Sequence, residues 1–399
     1  MMKWSLEKAK NGESTLQLNG VTIYSKYRPI DDAKRWINAE CDTKSEEYFM
    51  IGLGLGYHLK ALVESTQGKR ITVYYFEQQE LELFLLKNSN ETWWQQENIK
   101  IVHDLNNSSI HADMQILIPN VWLQAIGENH PLFNILDIIK NNQIAYKKDA
   151  KLMANNFNEN IKLGDDCHYP KPTKKVACLV AAGPSLDETI HWLKDKQKYV
   201  DIYVVGAVLK KLLDQNIEPT ATIISDANNV IENQLYNSNF TGDLFYLSTA
   251  NNKAVSTYNG KRYILFQQGY RLAEEVAREK QCLLIETGGS VGTTTFSLLE
   301  LIGYQSIILF GQDLGFTGKQ SHATSATSIE LKYTKEVRTV LANDGCRINT
   351  TSNLYAFLHW YNEKMNCTNI KVYNTAKMGA KINNVPLVNH EEFIDIVKK

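Results

Sequence analysis

The chain has 399 residues, 43% of them hydrophobic, and its 43 basic and 44 acidic side chains leave a formal net charge of −1. A length of this order predicts two or three domains, each with apolar residues enough for its own core. The cancelling charge excludes a protein that grips a nucleic-acid backbone over a broad basic surface, although one local phosphate pocket stays compatible with it.

The first residues, Met1-Met-Lys-Trp-Ser-Leu-Glu7, contain no apolar signal core. No later run approaches the roughly 18 apolar residues of a membrane helix, so the expectation is a cytoplasmic protein with no membrane span. Residues 1 to 45 read as a lead-in segment. Val21–Tyr24 is strand-like, Ser25–Pro29 is a turn, and Pro29 suits the first turn of a helix through Ala33 and Ile37. Apolar runs at Tyr48–Leu53, Ile71–Phe76, Ile99–Val102 and Met114–Ile118 then alternate with helical spacing at Tyr57–Val63 and Leu81–Leu86. Residues 138–164 have helical period and a polar, Asn/Lys-rich composition, and His168–Thr173 is a proline-punctuated linker.

A second series follows. Strands are expected at Val176–Ala181, Ile202–Val205, Ala221–Ile224, Leu244–Leu247, Tyr263–Phe266, Leu283–Ile285, Ile307–Phe310 and Ile370–Tyr373. Helices are expected after Gly183, through Leu213, and over Ser290–Leu301 and Asn353–Met365. Strands alternating with helices predict parallel sheets, and hence an α/β protein of two Rossmann-like, doubly wound domains. The boundary is placed at the linker, giving residues 1–165 with the connecting helix and residues 166–399.

In open α/β sheets ligands bind beyond the carboxyl ends of the strands, so the residues after each strand carry most information. In the second domain these are Gly183-Pro184-Ser185, Ser225-Asp226-Ala227-Asn228, Thr287-Gly288-Gly289-Ser290 and Gly311-Gln312-Asp313, a small and polar set. Gly183-Pro184-Ser185 fits the start of a helix whose free N–H groups attract an anion, or equally a plain capped helix start. Gly288, Ser290 and Gly292 match the nucleophile-elbow spacing, but Asp313 and His322 lie too close together for that triad. A hydrogen-bonding wall to a ligand is the better reading of that segment. Asp313 and His322 are candidates for orienting an acceptor hydroxyl and taking its proton.

In the first domain, Gly52, Gly54 and Gly56 follow a strand, and Glu77 ends the next one. That is the pattern of a nucleotide or S-adenosylmethionine loop, or of a tight structural turn. Neither an Asp-x-Asp pair nor a Walker motif occurs, so no motif calls for a metal. The six cysteines (Cys41, Cys167, Cys178, Cys282, Cys346, Cys367) lack Cys-x-x-Cys spacing and read as reduced, buried apolar residues.

Several of these segments, in this order, resemble the MptE-like family, which includes the motility accessory factor (Maf) glycosyltransferases. They are Ser25–Pro29, Ile51–His58, Ala182–Leu186, Ser225-Asp226, Thr287–Val291, Gly311–Leu314 with His322, and Val372–Ala376. The second domain is also similar to bacterial sialyltransferases, whose Gly-Pro-Ser-Leu turn and late Gly-x-Asp strand end have counterparts at Gly183–Leu186 and Gly311–Asp313. The resemblance implies a GT-A-like second domain and a glycosyltransferase. It would carry a nonulosonic, sialic-acid-like sugar from a CMP-activated donor to Ser/Thr hydroxyls of a protein, flagellin among them, or to a surface glycan, without a cofactor or metal.

On that resemblance Gly183 and Ser185 hold the CMP phosphate or ribose, with Pro184 between them. Asp226 and Asn228 contact the nucleotide, and Gly288, Gly289 and Ser290 the donor. Gln312 and Asn374 belong to the same rim, Asp313 positions groups and His322 is a base. Two alternatives stand beside it. One is a 6-hydroxymethyl-7,8-dihydropterin diphosphokinase using ATP, with Mg²⁺ gathered by Asp187, Asp226 and Asp313. The other is a non-catalytic nucleotide-binding module whose site is Gly52, Gly54, Gly56 and Glu77.

Overall fold

A computed structural model describes residues 2–103, 110, 111, 113–127, 130–316, 320–327 and 338–398. It divides into two compact units, one of Met1–Lys147 with Gly269–Arg271, the other of Lys148–Gln268 with Leu272–Lys399.

The first unit opens with three antiparallel strands, β1 (Trp4–Lys8), β2 (Ser14–Leu18) and β3 (Val21–Thr22). Four of the five residues of β1 are exposed, so the segment has no apolar alternation to reveal it in the sequence. Pro29 opens the helix Pro29–Glu40 as expected, and Ala33 and Ile37, one turn apart, are buried. The parallel sheet contains β4 (Glu47–Ile51), β5 (Arg70–Tyr74), β6 (Ile99–Val102) and β7 (Gln115–Leu117), in the order β6-β5-β4-β7. Phe49, Ile51 and Trp122 pack on one face, Tyr48, Met50 and Phe84 on the other.

The second unit is built on eight strands: β8 (Val176–Val180), β9 (Asp201–Val205), β10 (Ala221–Ile224), β11 (Asp243–Leu247), β12 (Arg262–Gln267), β13 (Leu284–Ile285), β14 (Ser306–Phe310) and, after the hairpin β15 (Arg338–Leu341) and β16 (Arg347–Thr350), β17 (Lys371–Asn374). Their order is β13-β12-β11-β10-β9-β8-β14-β17, and every neighbouring pair is parallel. All residues of β8, β9 and β10 are buried, which is why these strands read as unbroken apolar runs.

The chain walks outward from β8 to β13 and then returns to the other side of β8 as β14. The winding therefore reverses between β8 and β14, the point at which a doubly wound sheet opens a crevice. Val180 lies opposite Phe310 across that junction, so the loops that follow leave the sheet side by side. They stay joined beyond it: Ala181 N–H donates to Phe310 O at 2.8 Å and Gly183 N–H to Gly311 O at 2.7 Å.

The long helix Pro131–Lys162 extends the expected 138–164 element toward the N-terminus. The compact units divide within it rather than at the linker after residue 165. Its later turns are tied to loops of the second sheet. Buried Asn160 Nδ2 donates to Ser248 O and Ala250 O, and Asn156 Nδ2 to Ala227 O. These side chains satisfy carbonyls that β10 and β11 leave unpaired where they end.

The cysteines depart from the expectation. Cys178 is buried in β8, but Cys346 and Cys367 are exposed, the latter at the end of the helix Ser352–Cys367. Cys167 and Cys282 form a disulfide across 115 positions, with Cα atoms 5.8 Å apart. Such a pairing is set by tertiary approach and leaves no local spacing signal. Among the described residues no helix is long and apolar enough to cross a membrane.

Candidate functional site

The switch point between β8 and β14 is organised by Asp313. This carboxylate is 3% exposed and both its oxygens face Ser185. The Ser185 N–H donates at 3.1 Å to Oδ1, and its hydroxyl donates at 2.8 Å to Oδ2. Gly183 is required by this approach, because a Cβ there would stand 2.0 Å from Asp313 Oδ2 and 2.5 Å from Gly311 O. Burial pushes the Asp313 carboxyl up to about 6, against the downward pull of the Ser185 donors.

The expected anion-binding role of the Gly183–Ser185 turn does not fit this geometry. Pro184 has no N–H, the Gly183 N–H is spent on Gly311 O, and the Ser185 N–H on Asp313. The helix expected here is only two short turns, Leu186–Thr189 and His191–Lys194. The turn is thus a lock that fixes the loops after β8 and β14 to each other.

His322 is held beside that lock. The neighbouring Ala323 N–H donates to Ala182 O at 2.8 Å, and the Thr324 N–H to Asp187 Oδ2 at 3.0 Å. Lys211 completes the tether. It pairs with Asp187 at 2.7 Å and donates to Thr324 O at 3.1 Å and to Thr324 Oγ1 at 2.9 Å. Burial pushes Asp187 up, but Lys211 and the Thr324 N–H outweigh it and the net shift is down. Sequence reasoning missed Lys211. It lies on the short helix Leu209–Asp214 with no motif around it, and only the fold brings it to Thr324. His322 itself is half-buried, with Nδ1 2.8 Å from Ser321 Oγ. That contact orients the imidazole ring.

The Thr287–Ser290 segment leads into the helix Val291–Ile302, and Ser290 caps it. The Thr293 N–H donates to Ser290 Oγ at 3.1 Å, and Thr293 Oγ1 also accepts from the Ser290 N–H. With its hydroxyl engaged as a cap, and with Asp313 bonded to Ser185, the nucleophile-elbow triad is not assembled. Gly288 is pressed against Trp360 and Thr293, where a Cβ would meet both at 2.7 Å, while Gly289 is exposed. Gly292 brings this helix start to β14, since a Cβ there would stand 2.5 Å from Gln312 Oε1. The Val291 and Gly292 N–H groups have no partner among the described residues.

Gln312 and Asn374 are buried behind this rim. Asn374 Oδ1 accepts from the Ala376 N–H at 3.0 Å, whereas Gln312 Oε1 and Asn374 Nδ2 have no hydrogen-bond partner. Beyond β10, Asn228 is half-buried and Asp226 meets solvent. Neighbouring protein atoms crowd the Asp226 carboxylate. That crowding and the Asp149 charge raise its carboxyl above the usual range. Among the described residues no three His, Cys, Asp or Glu side chains gather as a metal-ligand set, so Asp187, Asp226 and Asp313 do not meet.

The glycine loop of the first unit is filled by the protein itself. A Cβ on Gly52 would lie 2.1 Å from Trp122, one on Gly54 2.4 Å from the Tyr24 hydroxyl, and one on Gly56 2.6 Å from Phe84. The loop's N–H groups are met from inside as well. Fully buried Glu80 accepts from Gly54 N–H at 2.6 Å and from Phe76 N–H at 2.5 Å, and burial pushes its carboxyl up to about 8. Glu77 is bonded to Trp4 Nε1 at 2.6 Å. Packing accounts for these glycines, and the loop amides already hold a carboxylate.

Residues 151–319 match the family model described as 6-hydroxymethylpterin diphosphokinase MptE-like. No curated protein matches the chain. Among solved structures, the fold is similar to that of a MAf glycosyltransferase from Magnetospirillum magneticum AMB-1. The TM-score is 0.55 at 13% identity, over 97% of this chain and 70% of that one. The family match spans the expected motifs from Ala182 to Leu314, on an α/β fold similar to that of the MAf enzyme, while those at Ser25–Pro29, Ile51–His58, His322 and Val372–Ala376 lie outside the matched residues.

Proposed function

We propose that the chain is a glycosyltransferase that carries a nonulosonic sugar from a CMP-activated donor to a hydroxyl acceptor. The supporting observation is the arrangement of residues at the switch point between β8 and β14. Asp313 and Ser185 lock its loops together, Ala182 holds the His322 loop beside it, and a helix start with two uncommitted N–H groups lies against Gln312. The likeness of fold to a MAf glycosyltransferase is in keeping with this chemistry.

In this reading the CMP phosphate sits at the start of Val291–Ile302, where Gly289 leaves the approach open and the helix dipole favours negative charge. That assigns to Gly289–Gly292 the anion contact that the Gly183–Ser185 turn cannot make. Asp226 and Asn228, projecting beyond β10, take the nucleotide's donor and acceptor groups. The leaving phosphate gains charge as the glycosidic bond breaks, and fixed N–H donors stabilise that charge without a metal. His322 removes the proton of the acceptor hydroxyl as it attacks. The acceptor is a Ser/Thr hydroxyl on a protein such as flagellin, or a surface glycan hydroxyl. Neither partner is a nucleic acid, and the reaction fits a cytoplasmic setting where CMP-sugars are made.

The test is CMP release from a CMP-activated nonulosonate, with and without EDTA, beside CMP binding by calorimetry. The reading expects release that survives EDTA. It also expects His322→Ala to lower turnover by about 10²-fold or more while CMP binding persists. Absence of both binding and release would overturn it. The family model's description supplies a second reading, diphosphate transfer from ATP to a hydroxymethylpterin. Mg²⁺-dependent AMP formation with that substrate, and none with CMP-sugars, would establish it in place of the first.

A further inference from the structure

The outer edge of β12 is shared by two short segments of the second unit. β13, last in the strand order, pairs with β12 at Phe266↔Leu284 and Gln267↔Ile285. Earlier along the same edge, Asp166 bridges Tyr263 in parallel, and its carbonyl accepts from the Ile264 N–H at 2.9 Å. Neither segment is firmly held by these pairings, because so short a strand is marginal by itself. Leu283 and Leu284 are 59% and 39% exposed, so little apolar burial secures the approach to β13. The link between the two segments is covalent. Cys167, next to Asp166, is bonded to Cys282, two residues before β13.

β13 leads straight into the Thr287–Ser290 segment and the helix start behind it. The run from Cys282 to Ser290 has two supports. The disulfide is the first. The second is Glu286, which accepts from Trp360 Nε1 at 2.7 Å and from Lys364 Nζ at 3.3 Å, both on the helix Ser352–Cys367. The bond is approachable from one side. Cys167 is buried, whereas Cys282 is half-buried between exposed Gln281 and Leu283.

We propose that Cys167–Cys282 is a site of reversible thiol–disulfide exchange with a dithiol reductant, and that its state sets how firmly β13 and the Thr287–Ser290 segment are held. A thiolate of the reductant attacks Cys282 Sγ, the S–S bond breaks, and Cys167 leaves as a thiolate that takes up a proton. The His168 imidazole, 4.0 Å from that sulfur, is placed to relay it. The second thiol of the reductant then attacks the mixed disulfide and releases Cys282. The reductant ends as a disulfide, and two electrons and two protons have passed to the protein. Reduction removes the first support and leaves Glu286, so the segment loosens without coming away. The regulatory meaning rests on the glycosyltransferase reading, which sets the chain in a reducing cytoplasm, where disulfides are characteristically transient or redox-sensing.

The test uses the full chain, purified in air and then treated with dithiothreitol without denaturant. Alkylation and mass spectrometry should find Cys167 and Cys282 joined before treatment and both alkylated after it. Hydrogen exchange over Leu283–Thr287 should quicken by about tenfold or more on reduction, with β8, β9 and β10 unchanged. Cys282→Ser should show the faster exchange without dithiothreitol and no response to it. CMP should bind the reduced chain about threefold to tenfold more weakly than the oxidised one. Free thiols at both positions after purification in air, a bond that yields only in urea, or exchange that reduction leaves unchanged overturns the proposal. Equal CMP affinity in the two states overturns the link to the Thr287–Ser290 segment. A chain that binds no CMP in either state counts against the glycosyltransferase reading, while alkylation and exchange still decide this one.

Discussion

Replacing Gly183 by alanine puts a methyl group where the structure has a carboxylate. The new Cβ would begin 2.0 Å from Asp313 Oδ2 and 2.5 Å from Gly311 O, whereas a relaxed carbon–oxygen contact is about 3.3 Å. Asp313 must therefore retreat by more than about 1 Å. Its bonds from the Ser185 N–H and hydroxyl, at 3.1 and 2.8 Å, do not survive such a move. Each bond to a charged group contributes about 1.5–3 kcal/mol, and overpacking adds about 1–3 kcal/mol. A loss of about 3–6 kcal/mol is expected, a large fraction of the roughly 5–15 kcal/mol that holds a domain folded. Urea denaturation of the full chain measures it. The double variant Gly183→Ala/Asp313→Ala removes the clash with the carboxylate but not that with Gly311 O, and should recover part of the loss, a coupling that a double-mutant cycle reads directly. A single variant within about 0.5 kcal/mol of the parent would refute the lock, and so would a double variant no more stable than Gly183→Ala alone.

The remaining predictions concern protons, caps and the first unit. Asp313 titrates at about 6 against an ordinary 3.8, so the folded chain holds its proton more tightly than the unfolded chain. Its contribution to stability is full below about pH 4 and is lost as pH rises through about 6. Asp313→Asn should thus gain on the parent by about 2–3 kcal/mol between pH 4 and pH 7, and urea midpoints showing a constant difference would count against this. Ser290→Ala removes the cap of Val291–Ile302 and should cost about 1 kcal/mol in a thermal melt, with weaker CMP binding as the helix start frays. Gly52→Ala should destabilise the first unit by about 3 kcal/mol or more through its contact with Trp122, at a backbone φ of +90° that disfavours a side chain, and leave CMP affinity unaltered. A parallel loss of CMP binding would return the nucleotide to the glycine loop.

Much of the sheet was legible because β8, β9 and β10 are buried on both faces and so are continuous apolar runs. The rim residues were legible for a related reason, since small polar residues after such runs can only lie at strand ends. What each one does there was not. The glycines of Gly52–Gly56 look like ligand glycines, but the atoms that need their space belong to Tyr24, Phe84 and Trp122, which no local pattern connects to them. Gly183 and Ser185 look like an anion turn, but the anion is Asp313, 128 positions after Ser185. The hairpin β15–β16 and the exposed β1 lacked an apolar alternation strong enough to stand out. In the second unit, Cys167 and Cys282 had no spacing to link them.

The position of β8 between β9 and β14 also sets an order of events. Its contact with β9 closes soon after synthesis, whereas its contact with β14 waits for a stretch of chain that includes four further strands of the same sheet. Non-local pairings of this kind form late, because the entropy of closing so long a loop must be met first. On a ribosome the Gly183–Ser185 turn therefore emerges well before the carboxylate that holds it. A nascent chain shorter than about residue 313 has most of the sheet but no lock, and the switch point is complete only when the returning strand docks.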